Sequence, residues 1–167
     1  GNTLVAALQQ FKDDYDKNQP LWKVLPEFVQ KQPRYEKTGL RDLCEQIHAV
    51  YKANDIARLT TEMYTSDMVP AIKPTYAFAK MSHREIDRVP IDELEGRITA
   101  VLLTPYPPGI PLLIPGEEFN KVIVSYLKFA REFNEKFPGF ESDVHGLVKH
   151  VVDGKAIYLS LIHISEP

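Results

Sequence analysis

The chain has 167 residues, 44% of them hydrophobic, and a net charge of −3: material for one moderate core, with no basic excess that would favour nucleic acid. Its apolar runs are broken by proline or charge well short of a bilayer span, and no secretory signal opens it. A single cysteine excludes an internal disulfide framework.

Leu4, Val5, Leu8 and Phe11, with Tyr15, mark one face of a first helix. Because the chain is helical from its first residues and Gly1 follows no initiator methionine, it is expected to begin inside a longer polypeptide. Asn18-Gln19-Pro20 reads as cap and first turn of a short helix carrying Leu21, Trp22, Leu25, Phe28 and Val29, closed by Pro33. Leu40, Leu43, Cys44, Ile47, Val50 and Tyr51 form a second stripe, ending near Asn54 and Asp55. Cys44 sits inside that stripe, so its spacing predicts a buried core thiol in a reducing cytosol and not a nucleophile. Residues 60–74 read as irregular, with Pro70 and Pro74 as breakers, and Tyr76 to Met81 as another short helix.

Arg97 to Leu103 is the best strand, and Leu112 to Ile114 adds a short one. A long helix is predicted from about Glu117 to Phe137, burying Phe119, Val122, Ile123, Tyr126, Leu127, Ala130 and Phe133, and Pro138-Gly139 stops it. Leu147 to Val152 and Ala156 to Tyr158 flank Asp153-Gly154, a two-residue hairpin signal.

Between the Arg97–Leu103 strand and the long helix runs Thr104-Pro-Tyr-Pro-Pro-Gly-Ile-Pro-Leu-Leu-Ile-Pro-Gly-Glu117, with five prolines and two glycines. Each proline fixes φ and removes a donor, so the run cannot be a central strand or a helix. Leu112, Leu113 and Ile114 nonetheless give it surface to bury, which predicts a rigid, packed connector. Leu94-Glu95-Gly96-Arg97 precedes it, Pro20-Leu21-Trp22-Lys23-Val24-Leu25-Pro26 lies upstream, and Phe137-Pro138-Gly139-Phe140-Glu141-Ser142-Asp143-Val144-His145-Gly146 downstream.

Together these segments resemble the C-terminal region of the bacterial fold-type I, pyridoxal-phosphate-dependent ornithine/lysine/arginine decarboxylases, up to about Tyr158. Thr60-Thr61-Glu62-Met63-Tyr64 brings the chain closest to the arginine decarboxylases. The resemblance implies an α+β fold: a single C-terminal domain with a small mixed sheet packed by helices and joined by the proline-rich connector. Residues 1–17 would be the end of a preceding domain or a linker helix, and 18–158 the C-terminal domain. It also implies a cytoplasmic parent enzyme that converts a basic amino acid, preferentially arginine to agmatine with lysine or ornithine as alternatives, to the amine and carbon dioxide. In this family such a reaction, which consumes a proton, serves acid resistance or polyamine supply. Implied partners are the pyridoxal-phosphate-binding domain of the same chain and further copies in a homodimer or higher oligomer. The family's cofactor lysine lies in a Ser-x-His-Lys segment, and this chain has no His-Lys pair, so no catalytic or cofactor-binding residue is assigned and the chain alone is expected to be inactive and cofactor-free. Tyr106 and Glu117 are the substrate-entrance candidates, since a cationic substrate calls for aromatic and carboxylate partners. The competing role for Glu117 is in the first turn of the long helix, and for Tyr106 packing beneath the connector.

Leu159-Ser160-Leu161-Ile162-His163-Ile164-Ser165-Glu166-Pro167 resembles instead a translated sequencing-adaptor tail, so residues 159–167 are expected to be non-native, to truncate the second hairpin strand and to be dispensable for stability. Other constellations carry less. His145, His150, Asp143 and Asp153 straddle a loop and a strand and are not assigned to a metal. Residues 83–88, of mixed charge, read as a solvated face, and Ser66 and Asp67 as turn residues. Pro105-x-x-Pro108 and Pro108-x-x-Pro111 match the minimal polyproline ligand, which makes a non-catalytic dimerisation or interaction module the alternative function, although the apolar flanks favour burial.

Overall fold

In the computed structural model, which describes residues 3–66, 86–106 and 109–163, prolines set the breaks between the amino-terminal helices. The chain divides at Ile56 into an amino-terminal unit and a carboxy-terminal unit, so residues 18–56 group with the first helix. In the first unit α1 (Thr3–Asp16) is the helix expected there; it buries none of its residues, and Leu4, Val5, Leu8 and Phe11 stand exposed. The helix expected after Asn18 is two: α2 (Leu21–Val24) and α3 (Pro26–Lys31). Pro26 takes the first position of α3, where its missing amide costs nothing, and by the same deficiency it cannot continue α2. Leu21 is fully buried and Val29 nearly so, while Trp22 and Leu25 are exposed. After a single 3₁₀ turn at Pro33–Tyr35, α4 (Leu40–Ala53) follows the expected stripe, burying Leu40, Leu43 and Val50; Cys44 is half-buried and not a full core residue.

The second unit starts with α5 (Ile56–Thr65), which corrects the irregular reading of residues 60–65. Leu59 and Met63, four apart, are both buried, and the Thr61 and Thr65 hydroxyls fold back to donate to the carbonyls of Ala57 and Thr61, each at 3.0 Å. Burial of that pair overrides the weak helix propensity of the threonines. The helix expected at Tyr76 to Met81, the breakers Pro70 and Pro74, and Asp67 lie outside the described residues.

The class is α+β, as expected. All strand pairs among the described residues are antiparallel, where a mixed sheet was expected. β1 (Ile86–Pro90), β4 (Leu147–Val152) and β5 (Lys155–His163) form one sheet with β5 central; β2 (Thr104–Tyr106) and β3 (Asp143–His145) form a separate pair. The Asp153-Gly154 turn joins β4 to β5 as predicted, both residues at positive φ. β5 does not stop at Tyr158. Leu159 to His163 pair with Pro90 to Ile86, Ser160 and Ile162 are fully buried, and the truncated-strand expectation is overturned.

Arg97 to Leu103 makes isolated bridges at Ile98, Thr99 and Leu103, with bends at Ala100 and Val101, and is not a regular strand. The Thr99 hydroxyl donates to the Val101 carbonyl at 2.7 Å and accepts from the Val101 amide at 3.2 Å, a local ring that kinks the ladder. The segment still bridges both neighbours: Thr99 N donates to Glu117 O, Phe119 N to Arg97 O, Leu103 N to Leu113 O and Ala100 N to Leu161 O. The same bonds hold residues 117–119 extended, so α6 (Lys121–Lys136) starts four residues later than expected. Asn120 caps it, its Oδ1 accepting from Ile123 N at 2.9 Å. Ile123, Leu127 and Phe119 are fully buried, Ala130 and Phe133 nearly so, and Tyr126, Phe129, Phe133 and Phe137 form a continuous aromatic row along one face of the helix.

Candidate functional site

Thr104, Pro105 and Tyr106 pair with His145, Val144 and Asp143. Proline is tolerated there because, among the described residues, the ladder has only two strands, so Pro105 is not a central-strand position. Pro105 is fully buried, which removes it from any polyproline recognition of Pro105-x-x-Pro108; Pro107 and Pro108 lie outside the described residues. Tyr106 is 46% exposed, and its ring rests diagonally across the ladder on His145, centroids 4.4 Å apart. Gly109, at φ +80°, passes so close to that ring that an added Cβ would stand 3.0 Å from Tyr106 Cε1. Tyr106 therefore does more than pack beneath the connector: it presents a ring held on two sides, with Asp143 opposite it in the ladder.

Glu117 is placed differently. It precedes α6 and lies outside its first turn, so the helix dipole does not account for it. Its Oε1 accepts from the Ile114 amide at 2.7 Å, while its own amide donates to the Ile114 carbonyl at 3.1 Å. Gly116, at φ +96°, makes the intervening turn possible. One carboxylate oxygen is thus engaged in closing the connector. The contacts of Tyr106 and Glu117 are separate, and the structure does not join them into one constellation.

Sequence reasoning missed the pair formed by Asp92 and Arg131. Arg131 on α6 donates from both terminal nitrogens to the two Asp92 oxygens, at 2.9 and 3.0 Å. These hydrogen bonds hold the Asp92 carboxyl below its ordinary value and raise the guanidinium above its own. Nothing in the spacing of 39 residues signals it. Elsewhere, burial pushes the Cys44 thiol and the Tyr64 phenol upward, away from the range in which either would be a ready nucleophile.

Among the described residues no group of three His, Cys, Asp or Glu side chains converges as a metal site, the set Asp143, His145, His150 and Asp153 included. Every described lysine is exposed. None sits in the enclosed, desolvated setting that prepares an amine for Schiff-base formation, so these residues do not fit pyridoxal phosphate, and no catalytic step is assigned to them. No described helix is long and apolar enough to cross a membrane.

A family model described as the C-terminal domain of Orn/Lys/Arg decarboxylases matches residues 57–163, which lie within the second unit. The lysine decarboxylase LdcA of Pseudomonas aeruginosa is 50% identical over 150 residues, 87% of this chain and 20% of that protein. The biodegradative arginine decarboxylase of Escherichia coli is 38% identical over 156 residues, 91% of this chain and 20% of that protein. The solved structure of lysine decarboxylase A from Pseudomonas aeruginosa superposes with a TM-score of 0.89 at 46% identity, covering 97% of this chain and 22% of that one. That of the Escherichia coli constitutive lysine decarboxylase gives 0.84 at 29% identity, covering 96% and 23%. The chain spans about a fifth of the length of these relatives.

Proposed function

Because the chain belongs to the Orn/Lys/Arg decarboxylase C-terminal domain family, we propose that it is the C-terminal part of a larger cytoplasmic enzyme that removes carbon dioxide from a basic amino acid. The observation that carries this reading is the family match across residues 57–163 together with the coverage of about a fifth of each relative. Pyridoxal phosphate would be held by residues outside this chain and would supply the electron sink for the departing carboxylate. This chain's contribution is to pack and to shape the entrance. The Tyr106 ring, exposed and braced by His145, is the better of the two entrance candidates; Glu117 sets the connector's turn beneath it in rank. The bare apolar face of α1 supports packing against the preceding domain of the same polypeptide, and the parent would assemble as a homodimer or higher oligomer.

Among substrates, the greater identity to a lysine decarboxylase than to an arginine decarboxylase supports lysine ahead of the arginine expected from residues 60–64, with ornithine third. The test is to express the parent reading frame and measure carbon dioxide release from lysine, arginine and ornithine. Release from one of them is expected, and none from the 167-residue chain mixed with pyridoxal phosphate. A parent inactive on all three, or a chain active alone, overturns the proposal.

A further inference from the structure

The bridge between Leu103 and Leu113 closes the connector into a loop with two unlike faces. Leu103 and Leu113 are fully buried, as is Pro105, and Leu112 nearly so; these residues fasten one face of the loop to the core of the second unit. By the same register Leu102 stands opposite Ile114 on the other face. Both are bare, and so is Ile110 within the loop. Ile110 follows Gly109, whose amide donates to the Pro105 carbonyl at 2.8 Å and whose backbone lies against the Tyr106 ring, so that ring borders the aliphatic residues. Leu102, Tyr106, Ile110 and Ile114 are each between 43 and 54% exposed.

The loop cannot relieve this exposure by turning over. The interior beneath it is already filled by Leu103, Leu112 and Leu113. At one end Glu117 accepts from the Ile114 amide at 2.7 Å, and at the other the Leu102 carbonyl stands where only a residue without a Cβ, Gly146, can pass. The prolines remove further torsional freedom. A rigid apolar patch costs little entropy to cover, and such patches mark interaction surfaces.

We propose that Leu102, Ile110 and Ile114, with Tyr106 at their border, are the seat for the part of the same polypeptide that lies outside this chain. The proposal rests on the reading of the chain as the C-terminal part of a larger enzyme, and it puts Tyr106 at the seam between the two parts. Area decides between occupants. Four large side chains, each about half bare, offer a few hundred Å², well short of the roughly 800 Å² per partner of a standard interface between separate molecules. A second copy would gain too little there to stay. A segment joined through the backbone needs no such area, because the linkage itself supplies an effective concentration of about a millimolar. The chain spans about a fifth of the length of its relatives, so in a parent of their length most of the polypeptide is available to be seated.

The experiment puts the photo-cross-linker p-benzoylphenylalanine in place of Ile110 in the expressed parent, irradiates the purified protein, and maps the product by denaturing electrophoresis and peptide masses. A product of monomer mass joined to a residue upstream of this chain is expected. Ile114 is the second position, used if the first variant does not fold or does not react. A product of twice the monomer mass places a second copy on the patch and overturns the proposal; so does one joined only within these 167 residues, or no product from either position. Hydroxyl-radical footprinting adds a measure without substitution: Leu102, Ile110 and Ile114 should oxidise severalfold more slowly in the parent than in the 167-residue chain, and equal rates would refute the seat. Neither readout needs activity. A parent that seats the patch without decarboxylating, or decarboxylates without seating it, separates this inference from the functional reading.

Discussion

The Asn18 carboxamide meets Asp42 twice, its Oδ1 accepting from the Asp42 amide at 3.1 Å and its Nδ2 donating to the Asp42 carboxylate at 3.0 Å. A residue 24 positions away in sequence thus caps α4, whose own N-cap, Gly39, has no side chain to offer. Gly39 has to stay bare for that reason, since a Cβ there would collide with the Asn18 carboxamide. Asn18 also sits at φ +51°, which asparagine tolerates better than alanine.

Asn18→Ala should therefore cost about 2 kcal/mol, one part cap and one part backbone strain, whereas Asn18→Gly should cost only the cap, about 1 kcal/mol. Gly39→Ala should cost about as much as loss of the cap. Combined with Asn18→Gly it should cost almost nothing further, because the collision is then gone. Chemical denaturation of the four proteins gives the cycle; strict additivity would refute the shared origin.

Gly146 turns the chain from β3 into β4 at φ +103°, and a Cβ would run into the Leu102 carbonyl oxygen. Backbone cannot step aside as a side chain can, so Gly146→Ala should lose at least about 2 kcal/mol. Gly154→Ala is the control: it also has positive φ but open space around it, and should lose about 1 kcal/mol. Equal melting temperatures for the two variants would contradict this.

Ile162, fully buried at the end of β5, should cost about 2–5 kcal/mol when cut to alanine. Removing residues 159–167 should cost more, because the ladder to β1 goes with it. A truncated chain that melts with the full one would restore the view that the tail is dispensable.

Asp92 is ionised more readily in the fold than in the unfolded chain, since Arg131 holds its carboxyl below the ordinary 3.8. The stability it contributes is present above that value and is lost as the pH falls through the lowered one. With Asp92 59% exposed, screening limits it to about 0.5 kcal/mol. Asp92→Asn should lower stability by that amount at neutral pH and converge with the wild type once the pH has fallen below the lowered value. A constant difference at all pH values would exclude the ion pair as its source.

In the parent enzyme, Glu117→Gln keeps an oxygen for the Ile114 amide and should leave kcat/KM and melting nearly unchanged, while Glu117→Ala should lower stability by about 1 kcal/mol. Tyr106→Ala should reduce kcat/KM severalfold with little effect on melting, since the ring is half exposed. The opposite pattern, with kinetics sensitive to Glu117→Gln and indifferent to Tyr106→Ala, would exchange the two roles.

The sequence by itself determined the features whose causes are local. The stripe of α4, the heavy apolar face of α6 and the Asp153-Gly154 hairpin follow from spacing and backbone chemistry, and the family was legible in the resemblance of its motifs. Tertiary structure decided whatever depends on partners distant in the chain. Thr60 and Thr61 disfavour a helix until Leu59 and Met63 find a core, and Glu117 looks like a helix start until residues 117–119 are bound to 97–99. Leu159 to His163 have no visible place until β1 pairs along them. The Arg131–Asp92 pair lies beyond sequence for the same reason: a hydrogen bond needs two groups within about 3 Å, and only the fold sets which residues come that close.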